Sequence, residues 1–199
     1  MTSEALEGTT RRSPLDAVHT AAGASFTDFA GWQMPVRYTS DLAEHHAVRT
    51  AAGLFDLSHM AEILVLGPEA AAALDYALAG RISAVEEGQA KYSLLLAEDG
   101  GVIDDLVVYR TGPDRFLVVA NAGNRYPAVE AIRERAASFD CVVDDESDDI
   151  ALVALQGPDA RAVLQETPGF GVDDGPGNDV ETFLANLDSL KYYLSLIHI

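Results

Sequence analysis

The rhythm of apolar and polar residues changes several times along the chain, and each change predicts an element. Ser13-Pro14 reads as an N-cap followed by proline at the first helical position. Leu15, Val18 and Ala22 then form the apolar face of a short helix that Gly23 stops. Residues 25–29 read as a strand, and Gly31-Trp32-Gln33-Met34-Pro35 as an aromatic loop. Ser40 caps a second helix, with Leu42, Val48 and Ala52 on its face and Gly53 as its stop. From Leu54 the pattern changes to strands. Residues 63–66 form one, and Gly67-Pro68-Glu69 then opens a helix that runs through Leu78. Residues 91–96 form another strand. Asp99-Gly100-Gly101 is a hairpin-type turn, and residues 102–110 and 116–120 follow as a strand pair. Residues 126–139 carry Val129, Ile132 and Ala136 at helical spacing. The acids from Asp144 to Asp149 mark an exposed linker. Residues 150–155 read as a buried strand and 158–165 as a helix.

Strands and helices mixed without strict alternation point to an α+β fold. Strand, Gly67-Pro68-Glu69, helix is echoed ninety positions later by strand, Gly157-Pro158-Asp159, helix. In both, proline sits where a helix start tolerates it, and the acid behind it favours the positive end of the helix dipole. The echo fits either a duplicated unit or the common grammar of a strand-to-helix turn.

Composition narrows the classes of function. The chain has 199 residues, of which 48% are apolar, enough for a sizeable core. Its net charge of −19, from 32 acids against 13 bases, argues against a nucleic-acid binder and against docking on an anionic membrane. One cysteine excludes a disulfide framework and a cysteine-clustered metal site. No apolar run approaches a membrane span, and the polar first twelve residues show no signal-peptide core. The expectation is a soluble cytoplasmic protein with a flexible tail over residues 1–12.

The most informative stretch for chemistry is Gly100-Gly101-Val102-Ile103-Asp104-Asp105-Leu106-Val107-Val108-Tyr109. Two carboxylates in an apolar strand are unusual, because burying one without a partner costs several kcal/mol. Neighbours in a strand face opposite ways, so Asp104 and Asp105 cannot both serve one site without a bulge. Asp105 shares its face with Ile103, Val107 and Tyr109. About 13 Å separates Asp105 from Tyr109 along that face, the length of a ligand groove. The same acids could instead end the turn and cap backbone donors. Asp56-Leu57-Ser58-His59-Met60 contains the residue types of a hydrolytic triad, but consecutive strand residues diverge, so it reads as a polar corner. His45 and His46 lack the i, i+4 spacing of a helical metal site and read as solvent-exposed. Cys141 reads as a small buried residue.

Five motifs in order carry a resemblance: Asp28-Phe29-Ala30-Gly31-Trp32-Gln33-Met34-Pro35, Phe55-Asp56-Leu57-Ser58-His59-Met60, the Gly100–Tyr109 stretch above, Asn121-Ala122-Gly123-Asn124, and Ala154-Leu155-Gln156-Gly157-Pro158. Together they resemble the glycine cleavage system T protein family, the aminomethyltransferases, from Ser13 to about Tyr193. The resemblance implies a folate-binding aminomethyltransferase fold of cloverleaf type, truncated here before the third domain. It implies a first domain of residues 13–60 with 148–193 and a second of 61–147. Transfer would run from the aminomethyl group on lipoylated H protein to tetrahydrofolate, releasing ammonia and giving 5,10-methylenetetrahydrofolate, with no metal. By the same resemblance Asp105 is the catalytic aspartate, and Met60, Leu64, Tyr92, Tyr109, Val119 and Asn121 line the folate. The partners implied are lipoylated H protein and tetrahydrofolate, with neither nucleic acid nor membrane. The family's later glutamate and basic groups are not found, and residues 194–199 do not resemble it. They read as a non-native tail, and the chain alone is expected to be inactive and to bind folate weakly. The alternative is a non-transferase folate-binding module of the same superfamily, such as an iron–sulfur assembly helper, which lacks the Ile103-Asp104-Asp105 pattern.

Overall fold

Along residues 10–167, which the structure (a computed structural model) describes, ten strands and five α-helices follow one another. They are β1 (Arg11–Arg12), α1 (Asp16–Ala21), β2 (Ser25–Phe29), β3 (Trp32–Arg37), α2 (Asp41–Thr50), β4 (Gly53–Asp56), β5 (Ala61–Leu66), α3 (Ala70–Ala77), β6 (Ala90–Leu96), β7 (Val102–Gly112), β8 (Arg115–Ala120), α4 (Arg125–Ala136), β9 (Val142–Asp145), β10 (Val153–Gln156) and α5 (Ala160–Glu166). The mixture is α+β. The expected tail from 194 lies outside the described residues. The chain divides into two units, with boundaries after His59 and after Ile150. Ala151–Ala160 belongs with the first unit.

In the first unit β3 pairs with β2 antiparallel and with β1 parallel, and β10 pairs antiparallel with β4. Several expectations change here. Arg11 and Arg12 are a strand rather than the end of a frayed tail, because their backbone bonds to β3. Residues 32–35 belong to a strand, not a loop. Trp32 and Met34 are buried while Gln33 and Pro35 are less so, the period of two that a strand produces. Pro35 lies beyond the two residues that β1 pairs, where a missing N–H is tolerated. In α1 Val18 is exposed and His19 is the buried residue, because its ring has partners inside. His19 Nε2 lies 2.7 Å from Asp56 Oδ2 and Nδ1 lies 2.6 Å from the Tyr38 hydroxyl. Ser13 Oγ donates to the same Asp56 oxygen. Burial would raise the Asp56 carboxyl, but hydrogen bonds from Ser13, His19 and Ser58 outweigh it and hold the group low. Asp56 is therefore an anchor for Ser13, His19 and Ser58, and the Ser58 hydroxyl is engaged with the Leu152 backbone rather than with His59.

Ser40 caps α2 as expected, its Oγ accepting from the Ala43 N–H at 3.1 Å. The helix buries no residue, and Leu42 is exposed. It ends at Thr50 rather than at Gly53, since Ala51 leaves helical geometry and Gly53 already belongs to β4. His45 and His46 are exposed on α2. Among the described residues, 153–156 pair with β4 alone, and Val153 is half-exposed, so the strand expected to be buried is not.

The second unit holds a five-stranded sheet in the order β6-β7-β8-β5-β9, antiparallel throughout. One face packs against α3 and α4. Its core contains Ile63, Val65, Leu106, Val108, Phe116 and Val118 from the sheet, with Leu74 and Ile132 from the helices. Each sheet position is separated from the next by one residue, the strand period that leaves the intervening residues on the opposite face. Cys141 is partly buried against this core. The acid run expected as linker is partly structural. Asp144 and Asp145 end β9, which pairs with β5, and Ser147 is buried. Arg125, buried at the N-terminus of α4 where a cation opposes the helix dipole, is held by Asp145 at 2.9 Å and bidentately by Asp148 at 2.9 and 2.8 Å.

The two echoing turns share a backbone geometry. Gly67 has φ +136° and Gly157 φ +122°. A Cβ on Gly67 would lie 2.6 Å from the Asp140 carbonyl oxygen, and one on Gly157 2.4 Å from that of Ala51. Only glycine meets both demands. Gly67→Ala is expected to destabilise the chain by about 2–4 kcal/mol, from left-handed strain plus overpacking against backbone. Urea unfolding measures this, and a loss below about 1 kcal/mol, the size of an ordinary surface change, would refute the account.

Candidate functional site

The face of the five-stranded sheet turned away from α3 and α4 is built of cross-strand rows. Residues paired across antiparallel strands share a face, so register defines the rows. One row runs Leu64, Leu117, Tyr109, Ala90 across β5, β8, β7 and β6. The next runs Glu62, Val119, Val107, Tyr92. Beyond it Asp105, paired with Leu94, meets Asn121, the residue after β8. Five of the seven residues expected from sequence (Leu64, Tyr92, Tyr109, Val119 and Asp105) thus share one face. Asn121 is bonded to Asp105 at its end. Met60 precedes β5 and is half-buried, and no polar contact ties it to the others.

The polar centre is a short chain of hydrogen bonds. Tyr92 Oη donates to Asp105 Oδ2 at 3.2 Å. Asn121 Nδ2 donates to Asp105 Oδ1 at 3.1 Å and to the Asp105 carbonyl at 2.9 Å. Asp105 itself is exposed, so its carboxyl group can meet a ligand. Desolvation, followed by the bond to Asp105, holds the Tyr92 phenol above its ordinary range, and desolvation does the same for Tyr109. Both phenols therefore remain neutral donors at physiological pH. Leu64 and Val119 are nearly buried and give the rows an apolar floor.

Asp104 turns the other way and is buried. Its Oδ2 accepts from the Asn121 backbone N–H at 2.9 Å. Its Oδ1 accepts from Asn121 Nδ2 at 2.9 Å and from Asn124 Nδ2 at 2.6 Å. The opposite facing of the two acids follows from strand alternation, as expected. Asn124, the last residue of the Asn121-Ala122-Gly123-Asn124 motif, is a further residue of this network beyond those the sequence picks out. The signal was its i, i+3 spacing from Asn121, which one 3₁₀ turn over Ala122–Asn124 places side by side.

Glu62 was also missed. It lies between Met60 and Leu64 at strand spacing, an acid in an otherwise apolar run, and that was the available signal. The side chain is fully buried, and neither carboxyl oxygen has a hydrogen-bond partner among the described residues. Burial pushes its pKa up to about 8, against the opposing pull of Arg125 and with the help of Asp145 and Asp148. Among the described residues no group of histidine, cysteine and acids is arranged to hold a metal ion. No helix of the described residues is long and apolar enough to cross a membrane.

This sheet with its two-helix layer and its acid-centred face is a mixed α+β domain of a known kind. The family model described as the GCVT N-terminal domain matches residues 15–174, and the chain belongs to that family, the glycine cleavage T proteins. The chain is similar to the aminomethyltransferase of Cutibacterium acnes, 64% identical over 156 residues, which are 78% of this chain and 42% of that protein. It is similar to the aminomethyltransferase of Streptomyces coelicolor, 50% identical over 186 residues, 94% of this chain and 46% of that protein. Among solved structures it is similar to the glycine cleavage system aminomethyltransferase T of Bartonella henselae. The TM-score there is 0.73 at 44% identity, covering 82% of this chain and 45% of the other. The chain therefore spans less than half the length of these curated relatives.

The buried acid makes a pH prediction. Folded Glu62 keeps its proton up to about pH 8, whereas the unfolded carboxyl loses it near its ordinary value of 4.5. Between these values the folded state binds more protons, so this group's contribution is complete below the unfolded value and is lost as pH rises through the folded one. Glu62→Gln cannot ionise. Its stability relative to the unaltered chain should rise by a few kcal/mol from pH 4 to pH 9. Paired urea midpoints across that range test this, and a pH-independent difference would refute it.

Proposed function

We propose that this chain is the folate-binding part of an aminomethyltransferase that acts on lipoylated H protein. The methylene carbon of the aminomethyl group would pass to tetrahydrofolate. The carbon–nitrogen bond to the departing ammonia and the carbon–sulfur bond to the lipoyl arm both break and are replaced by bonds to two folate nitrogens, and ammonia, 5,10-methylenetetrahydrofolate and the lipoyl thiol result. The two protons lost from folate nitrogens leave with ammonia and the thiol, so the reaction balances without an oxidant. The observation that carries this reading is the exposed Asp105 carboxyl, held from both sides by Tyr92 and Asn121 at the end of apolar rows. The names of the similar proteins support the same class of reaction and do not favour the non-transferase module.

The residues present suit a reduced pterin. Such a heterocycle has N–H donors on its edge and apolar faces. Asp105 offers acceptors, and Leu64, Val119 and Tyr109 offer flat or apolar surface. Tetrahydrofolate, when bound, supplies the nucleophilic amine. Asp105 would orient that amine and stabilise the positive charge that develops on nitrogen as it bonds to carbon. Tyr92 and Asn121 would keep the carboxyl in one rotamer, so little reorganisation is needed during the reaction. The apolar rows would exclude water that could otherwise capture the activated carbon. A cytoplasmic location fits this chemistry and belongs to the same proposal.

The test uses a protein of the relatives' full length that contains this chain as its N-terminal part. Asp105→Asn should lower the rate of methylenetetrahydrofolate formation from lipoylated H protein by about 10²–10³-fold, the loss typical of one electrostatic stabiliser. Tyr92→Phe should cost less, because Asn121 still holds the carboxyl. If Asp105→Asn retains half of the original rate or more, the carboxyl has no part in the transfer.

A further inference from the structure

We infer that Asp104 is the positioning residue of this site. It sets the orientation of the Asn121 amide, and through that amide the orientation of the Asp105 carboxyl. The consequence for transfer rests on the reading of Asp105 given above. The positioning itself rests on geometry alone.

Asp104 is 2% exposed, and three N–H groups converge on it. A buried carboxyl without such donors would be costly, so they are required where they stand. The Asn121 amide is the shared element. Its Nδ2 faces Asp104 Oδ1, the Asp105 carbonyl and Asp105 Oδ1, and all three are acceptors. Turning the amide over would place its oxygen against three oxygens. The amide orientation is thus dictated by chemistry, and Asp104 contributes the best-buried of the three acceptors. Asn124 completes the anchor. Its Nδ2 donates to the same Asp104 oxygen, and its backbone N–H donates to the Asn121 carbonyl at 2.9 Å. The chain of contacts runs from the start of α4, through Asp104 inside the sheet, to Asn121 and then Asp105 on the opposite face.

An isosteric change separates this role from a merely structural one. In Asp104→Asn one oxygen becomes an NH₂ group. The Asn121 backbone N–H cannot turn, so the remaining oxygen of residue 104 must serve it. The new NH₂ then faces the amides of Asn121 and Asn124, and both must flip to offer oxygen. A flipped Asn121 presents its oxygen to Asp105 and loses both bonds to it. The volume of the core is unchanged, but the link to the exposed acid is cut.

The experiment is side-chain amide hydrogen exchange by nitrogen-15 NMR on this chain without ligand. In the unaltered chain the Asn121 NH₂ group should exchange about tenfold more slowly than that of the exposed Gln165, as expected for amide protons held by internal acceptors. In Asp104→Asn that protection should fall to the Gln165 level while the backbone spectrum stays folded. In Asp105→Ala it should persist within about twofold, because Asp104 still holds the amide. An unprotected Asn121 in the unaltered chain, protection that survives Asp104→Asn, or protection lost in Asp105→Ala would each overturn the proposal. The third outcome decides the matter even if Asp104→Asn fails to fold. In the full-length protein Asp104→Asn should lower kcat with KM little changed. If the exchange results hold but neither Asp104→Asn nor Asp105→Asn slows transfer, the catalytic reading fails and the positioning stands.

Discussion

The alternation of side chains across β5, β7 and β8 is the constraint on which the second unit depends. Odd positions 61, 63 and 65 of β5, with their partners in β8, are committed to the layer under α3 and α4. Burial of those side chains supplies the driving force for the unit, at roughly 1.5–3 kcal/mol for each large apolar group. Once that face is committed, the opposite face is committed too. A slip of one residue in β7 would exchange Asp105 for Asp104 and turn its core residues outward. The energy that folds the sheet therefore also decides which of two adjacent acids meets solvent.

That division explains the unequal environments of neighbouring acids. Asp104 has three N–H donors in a buried position, whereas Asp105 has one tyrosine and one amide at the surface. Glu62 faces the same way as Asp105, yet is buried with no hydrogen-bond partner among the described residues and holds its proton. Environment, not residue type, sorts the three carboxyls into an anchor, an exposed acceptor and a neutral acid. Arg125 adds a fourth arrangement, in which a buried cation at a helix start is neutralised by Asp145 and Asp148. Part of the strongly acidic composition thus serves structure, beyond any contribution to solubility.

The first unit uses polar contacts differently. Asp56 gathers Ser13, His19 and the Ser58 backbone, and Tyr38 joins through the histidine ring. These residues come from four segments, and none of their spacings announces the contact. The echo between Gly67-Pro68-Glu69 and Gly157-Pro158-Asp159 is the reverse case. Both turns repeat a local conformation in which a glycine sits against a backbone carbonyl, and local conformation is what a short sequence pattern can encode.

Local rules read from the chain alone were sufficient for β2, β5 to β8, α3, α4 and the Ser40 cap, because periodicity and capping act within a few residues. They were sufficient as well to separate Asp104 from Asp105, since strand alternation needs no tertiary information. The five ordered motifs identified the family before any fold was in view. Tertiary structure alone decided the rest. The aromatic segment after Gly31 became a strand because β2 and β1 offered it pairing. Val18 gave way to His19 as the buried residue of α1 because Asp56 and Tyr38 were waiting for the ring. Two residues of the acid run, Asp144 and Asp145, became the end of an edge strand because β5 had an open side. Glu62 and Asn124 acquired significance only from their rows and turns. Burial and hydrogen-bond partners arise from segments distant in the chain, and no window along the sequence contains both members of such a contact.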